Sequence, residues 1–339
     1  MNTTSTATEP GTPRALADLP GLAKAGGRAL IRTRPALLLL LTAALVAWMA
    51  YWYPDSFPTR SNFEAVLLNA SVSAILVCGM TLLLIGGVFD LSIGGVLALT
   101  GVVTGALIAN HGWAVPTAIL AGLLVGAAAG LFNGLLVTRL GINALITTLA
   151  TLGIFRGLSQ LLESSGVAPI GDGYAKVGQT ELLGIQTPFW VMLVLVAVLA
   201  LAVANTRFFR QYYFVGGNER AARYSGIRSQ RLILIGFVLM GALAALGGVL
   251  TSARLNAATV SAGDGLELAV ITAAVLGGAS LKGGEGTIIG GVLGVLFIAL
   301  VQNALIIMQV DVFWQQIIIG AVLLIAVSLD RWKDKLGSH

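Results

Sequence analysis

Residues 64–110 read EAVLLNASVSAILVCGMTLLLIGGVFDLSIGGVLALTGVVTGALIAN, two apolar runs at 64–87 and 91–110 parted by the break IGGVFDLSIGG at 85–95. Each run has the length of about 20 residues that a helix needs to cross the hydrocarbon core. Neither run alternates with the period of two that a membrane barrel strand requires. A glycine-rich bend between two such helices is tolerated at membrane depth only where protein or water covers its backbone groups. The stretch therefore specifies a helical membrane protein with an interior bend. Further apolar segments at 35–53, 114–138, 143–162, 188–206, 232–252, 266–280, 287–309 and 312–329 extend the pattern to about ten transmembrane helices in an all-α, polytopic fold.

Composition excludes several function classes. The 339 residues are 57% hydrophobic and 10% charged, against about 25% charged in a soluble domain, so neither a soluble enzyme nor a singly anchored domain fits. The one cysteine, Cys78, lies inside an apolar run, which rules out an intrachain disulfide and a cysteine-based metal site. His111 and His339 stand apart with no nearby carboxylate, so no metal ligation is expected. A net charge of +5 is what the positive-inside bias produces in a membrane chain, and nucleic acid is not an expected partner.

The basic residues set an orientation. With the N-terminus inside, Arg14, Lys24, Arg28, Arg32, Arg34, Arg139, Arg207, Arg210, Arg220, Arg223, Arg228, Arg231, Lys282, Arg331, Lys333 and Lys335 fall on the inner side. Only Arg60, Arg156, Lys176 and Arg254 remain for the outer side, and an even number of spans keeps the last cluster inside. Residues 1–34 are polar and are expected to form a disordered cytoplasmic tail, 35–330 the transmembrane domain, and 331–339 a cytoplasmic C-terminal tail. The run at 35–53 is too long for a signal-peptide core and is kept as the first span.

A second glycine-rich break, LGGASLKGGEG at 276–286, follows the short segment 266–280. The two breaks are expected at comparable places in two four-helix blocks, 64–162 and 232–329, that begin on opposite sides of the membrane, an inverted repeat. Glycine makes up 43 of the 339 residues, about 13% against about 7% in ordinary proteins. Gly126, Gly130 and Gly134 are spaced four apart, as are Gly286, Gly290 and Gly294, and Gly101 with Gly105. That spacing places each set on one helix face for close helix packing, which is the leading reading for them.

No G-x-x-x-x-G-K-[ST] occurs, and no Gly-Lys pair, so the chain has no Walker-type nucleotide loop of its own. An ion-coupled secondary transporter would need ionisable groups inside its spans, and the candidates are few: Asp90 at the first break, Glu64, Glu267 and Arg156. Asp90 also reads as a helix cap, accepting from free amides of a helix that begins at Leu91. In the loop 207–231, VGGNERAARYSGI at 215–227 has Asn218 as an N-cap, Glu219 in the first turn and Gly226 as a left-handed stop. A short helix is expected there, and its small residues offer a smooth patch for another protein.

GGVFDLSIGGVLALTG (86–101), FNGLLVTRLGINALITTLAT (132–151), GGNERAARYSGI (216–227) and LGGASLKGGEGTIIGGVLGVLFIALVQNAL (276–305) together resemble the permease subunits of bacterial ABC importers for monosaccharides, of the ribose, xylose and arabinose type. The resemblance covers essentially 35–330; Phe89 stands as an additional residue in the usual turn, and the N-terminal tail matches nothing in the family. It implies a fold similar to the vitamin B12 importer permease, in the bacterial inner membrane with both termini cytoplasmic. It further implies a second permease subunit, expected as a homodimer in membrane lipid, a cytoplasmic ABC ATPase that binds the ATP, and a periplasmic sugar-binding protein. No cofactor and no catalytic residue are expected in this chain. The ATPase-docking helix would comprise Gly216, Gly217, Asn218, Glu219, Arg220, Ala221, Ala222, Arg223, Ser225 and Gly226, with Tyr224 offering a further polar contact.

A hydroxyl-rich solute needs hydrogen-bonding groups once its water is stripped. Asp90, Asn69, Asn133, Asn143, Gln302 and Asn303 are the candidates for the translocation path, with Thr147 and Thr148. Each has the alternative role of holding helices together, at roughly 0.6 to 2 kcal/mol. The competing readings are the secondary transporter and an ABC permease for branched-chain amino acids or another small solute.

Overall fold

Leu, Ile, Val and Ala fill the long segments between proline, glycine and polar stops, and in lipid such a run satisfies its backbone only as a helix. The computed structural model describes residues 34–311 and Trp314, Ile317, Ile318, Gly320, Ala321 and Leu324. The helices are α1 (Arg34–Trp52), α2 (Arg60–Ile85), α3 (Ile93–Ala109), α4 (Val115–Thr138), α5 (Ala144–Leu162), α6 (Asp172–Gln179), α7 (Thr187–Asn205), α8 (Arg207–Gly217), α9 (Glu219–Tyr224), α10 (Ser229–Leu255), α11 (Leu266–Leu276) and α12 (Ile288–Ile307). By length and composition α2, α4, α5, α7, α10 and α12 are long and apolar enough to cross a membrane, while α1, α3 and α11 are shorter apolar helices. The chain is a polytopic helical membrane protein. The expected span at 312–329 lies largely outside the described residues, as do the tails apart from Arg34.

The loop before α7 departs from the all-α expectation. It carries α6 and a small antiparallel hairpin, β1 (Glu181–Leu182) with β2 (Ile185–Gln186). Leu183 and Gly184 between the strands both have positive φ, the geometry that a two-residue turn needs to match strand twist. Tyr174 of α6 is fully buried and donates to the Val249 carbonyl at 3.0 Å, its hydroxyl also 2.7 Å from Ser252 Oγ. The loop is thereby tied to the C-terminal end of α10.

α2 and α10 form the centre and are buried along most of their length. α2 lies against α11 and α12, and α10 lies against α3 and α4, so the first helix of each block packs on the second and third of the other. The α4–α10 seam depends on glycine. A Cβ at Gly130 would overlap the Phe237 carbonyl oxygen, one at Gly241 the Gly126 carbonyl oxygen, and one at Gly134 would lie 2.7 Å from Leu234 Cδ1. In the second ladder only Gly290 and Gly294 sit on the helix, facing the carbonyls of Gly277, which caps α11, and of Ala273 within it. Gly286 is a correction: it precedes the N-cap Thr287, at φ 145°, in the loop and off the helix face.

The breaks also differ from expectation. Residues 86–92 join the first and second helices of their block, whereas 277–287 join the second and third of theirs. They are not equivalent positions. α11 has 11 residues, a rise of about 16 Å, so it covers half of a core of about 30 Å. Its loop then satisfies its own backbone, with Ala279 N donating to Ala274 O at 2.9 Å and Ser280 N to Glu285 O at 3.1 Å. That internal pairing is what allows irregular chain at this depth.

Candidate functional site

The segment 206–229 builds a protruding module from local rules. Thr206 caps α8, accepting from Phe209 N. Asn218 ends α8 and starts α9, its side chain accepting from Ala221 N at 3.0 Å. α9 stops in a paired motif: Gly226 at φ 82° donates to Arg223 O, and Ile227 donates to Ala222 O, each at 3.0 Å. Along its flank Arg223 Nη2 lies 2.6 Å from Glu219 Oε1, and Ser229 of α10 hydrogen-bonds to both side chains.

Two tyrosines fix the module to the membrane helices. Tyr212 donates to Leu232 O at 2.6 Å and Tyr213 to Gly286 O at 2.9 Å. Burial pushes both phenols above the ordinary tyrosine range, so both remain neutral donors at physiological pH. Three glycine pairs, 86–87, 216–217 and 283–284, then meet backbone to backbone. Gly284 N donates to Ile85 O at 2.9 Å, a Cβ at Gly216 would overlap Ile85 O, and one at Gly283 would lie 2.9 Å from Gly87 Cα. The two breaks therefore meet each other at the end of α8, a convergence the sequence reading missed. A cavity of about 420 Å³ beside this junction is lined by the first two pairs, Asn218, Glu219, Arg223, Gln230 and Lys282.

Within α9 the exposures divide. Tyr224 is 93% exposed, and Arg220, Ala221, Ser225 and Gly226 are exposed with it, as are Gly217 and Asn218. Ala222 is 4% exposed and faces inward. It seats the helix rather than offering close approach to another protein.

The path candidates scatter. Asn69 and Gln302 share a cavity of about 650 Å³ with Ser73, Thr251, Thr272, Arg254 and Asp264. The hydroxyls of Ser73, Thr251 and Thr272 were not picked out from sequence, because isolated hydroxyls on apolar helices give no distinctive spacing. Asn133 is fully buried and donates to Ser92 Oγ at 2.8 Å, while Ser92 donates from its amide and hydroxyl to Asp90 Oδ1 at 2.8 and 2.6 Å. Asp90 thus holds the turn ahead of α3, which begins at Ile93 rather than Leu91. Asn143 caps α5, accepting from Leu145 N, and Asn303 exchanges hydrogen bonds with Asn62 at 2.6 and 3.1 Å. Thr148 donates to Ala144 O.

The remaining ionisable candidates are mostly paired. Arg60 Nε lies 2.7 Å from Glu64, and Arg156 pairs with Asp264. Glu267 Oε2 is buried without a hydrogen-bond partner among the described residues. Among them no group of three His, Cys, Asp or Glu could hold a metal ion.

Residues 62–327 match the family model described as branched-chain amino acid transport system / permease component. The chain belongs to this permease family. It is similar to the ribose import permease protein of Escherichia coli strain K12, 34% identical over 312 residues that cover 90% of this chain and 95% of that one. The autoinducer 2 import system permease protein of Escherichia coli strain K12 / DH10B is 33% identical over 293 residues, 86% of this chain and 85% of its own. The L-arabinose transport system permease protein of Escherichia coli strain K12 is 38% identical over 299 residues, 88% and 90%. No solved structure matches the chain. In a permease component the exposed α8–α9 module and the cavity that Asn69 and Gln302 line are features that packing alone leaves unexplained.

Proposed function

We propose that this chain is the pore-forming subunit of an ATP-driven importer in the bacterial inner membrane, taking up a monosaccharide delivered by a periplasmic binding protein. The observation that carries it is the exposed helix α9, anchored by Tyr212, Tyr213 and three glycine pairs to the ends of α2, α10 and the loop before α12. Such a module passes force from a docked ATPase into the membrane helices, and the chain's lack of a Walker loop fits a partner that binds the ATP. Ribose, autoinducer 2 and arabinose in the names of its relatives favour a sugar-like solute over the branched-chain amino acids of the family description. The cavity at Asn69 and Gln302 is the candidate solute path.

The reciprocal packing of α2 and α10 supports two inverted blocks, and the excess of basic residues on one side supports an even number of spans, ten in a fold like the vitamin B12 permease, with both termini cytoplasmic. A second copy of the chain would complete the assembly, a reading supported by α5, which carries Gly153 and Gly157, four apart, with open space in front of each and exposed Ile154 and Leu158 beside them. Binding-protein docking and ATP-driven closure would then bias a permease dimer between outward-open and inward-open states.

Labelled sugar uptake into proteoliposomes, with the ATPase, binding protein and ATP each present or omitted, tests the reading. Uptake is expected only with all three; uptake without the ATPase overturns it in favour of a secondary transporter. Tyr224→Ala tests the docking surface. An exposed aromatic at such an interface is worth about 2 kcal/mol, so ATPase co-purification is expected to fall by more than an order of magnitude. Its thermal unfolding should match the parent chain, and unchanged co-purification would remove α9 from the interface. Ala222→Arg, by contrast, buries a guanidinium and reports on the seating of α9.

A further inference from the structure

Beside α9 a cavity of about 550 Å³, which shares Thr138, Arg223 and Gln230 with the junction cavity, opens between the end of α4 and the start of α10, and Arg139, Arg223, Arg228 and Arg231 all line it. No carboxylate lines it. Arg223 is answered by Glu219, whereas among the described residues no carboxylate lies within salt-bridge distance of Arg139, Arg228 or Arg231. Orientation in a membrane requires basic residues on one side but does not require that they share one concavity. Guanidinium groups gathered in this way repel one another until an anion sits among them, and their planar donor forks match phosphate oxygens.

The surroundings say which anion. Arg139 ends a stripe on α4 that runs through exposed Leu124, Leu131 and Leu135, at spacings of seven, four and four that share one helix face. On α10, exposed Ile235 stands one turn beyond Arg231. Exposed apolar side chains on two membrane helices thus stand one helical turn from arginines that line the cavity, Leu135 from Arg139 and Ile235 from Arg231. We propose that this cavity binds the phosphate-bearing headgroup of an anionic phospholipid, whose acyl chains lie along Leu131, Leu135 and Ile235. A soluble phosphate would satisfy the arginines and leave the stripe unused. The inference rests on the helices being membrane-embedded and is independent of the solute carried.

The test uses the full permease, with its ATPase, in nanodiscs of phosphatidylcholine alone or with about one part in five phosphatidylglycerol, an anionic fraction that gives the surface a substantial negative potential. Native mass spectrometry after release reads the retained lipid. The parent chain should keep phosphatidylglycerol in preference to phosphatidylcholine. Each basic group near an anionic surface changes partition roughly fivefold, so Arg139→Gln/Arg231→Gln should lower retention by about tenfold or more. Arg139→Lys/Arg231→Lys, which keeps the charge but loses the planar forks, should restore part of the retention and shows that the loss is not misfolding. Equal retention of phosphatidylcholine, full displacement by millimolar inorganic phosphate, or unchanged phosphatidylglycerol retention accompanied by loss of ATPase co-purification would each overturn the proposal. The last outcome would assign the cavity to a protein partner.

Discussion

Gly216→Val is expected to reduce ATP-driven uptake to background, while Gly217→Ala, one position along, leaves it within about twofold, the range of an uncoupled surface change. The two glycines differ in what surrounds them. A side chain on Gly216 would overlap the Ile85 carbonyl oxygen and come within 2.6 Å of Gly284 N, and these are the two atoms whose hydrogen bond joins the two breaks. A Cβ on Gly217 meets nothing within 4 Å. The obstacles at Gly216 are backbone atoms, which cannot swing aside as a flexible side chain would. α8 must therefore lift away from α2 and from the loop before α12, and α9 moves with it. Measured in proteoliposomes, ATP hydrolysis should persist wherever the ATPase still associates, while uptake is lost. Normal uptake by Gly216→Val would show that the glycine junction does not transmit the ATPase stroke.

That junction shows where sequence reading runs out. A Gly-Gly pair announces only a local bend, and the pairs at 86, 216 and 283 stand far apart in the chain. Nothing in their local sequences says that they meet. By contrast, α9 was legible to the residue, because the Asn218 cap, Glu219 in the first turn and the left-handed Gly226 act within one short segment. Which alanine faces out was not legible: Ala221 and Ala222 are adjacent and identical, and only the packing of the module buries the second. The long helices were readable for the reason that governs all membrane spans, that an apolar run in lipid must close its own hydrogen bonds. The shortness of α11 was legible as well, but not its end, since the apolar run to 280 passes Leu276 into glycines that the structure folds back as a loop. Among the amides, composition marked Asn69, Asn133 and Gln302 alike. Asn133 already has a partner in Ser92, while Asn69 and Gln302 face open space.

Gly130→Ala should destabilise the chain by about 1 to 3 kcal/mol, the usual cost of overpacking a close-fitted interior, and Gly130→Val by more. The added carbon at Gly130 falls on the Phe237 carbonyl oxygen and lies 2.9 Å from Phe237 C and 3.1 Å from Val238 Cα, so relief requires α4 and α10 to separate. Ala128→Val on the exposed face of α4 is the matched control and should change stability by roughly 0.5 kcal/mol or less. Denaturation in mixed micelles reads both. A second substitution sharpens the inference, because a Cβ at Gly241 lies 2.9 Å from Gly130 Cα across the same seam. Once one methyl has pushed the helices apart, the next meets less resistance, so Gly130→Ala/Gly241→Ala should cost less than the sum of the two single changes. Additive losses would mean that the seam yields locally and the helices stay in place. The distinction reaches the docking module, because α10 carries the Leu232 carbonyl that Tyr212 holds. A displaced α10 shifts α8, and the stability loss should then be matched by weaker coupling between ATP hydrolysis and uptake.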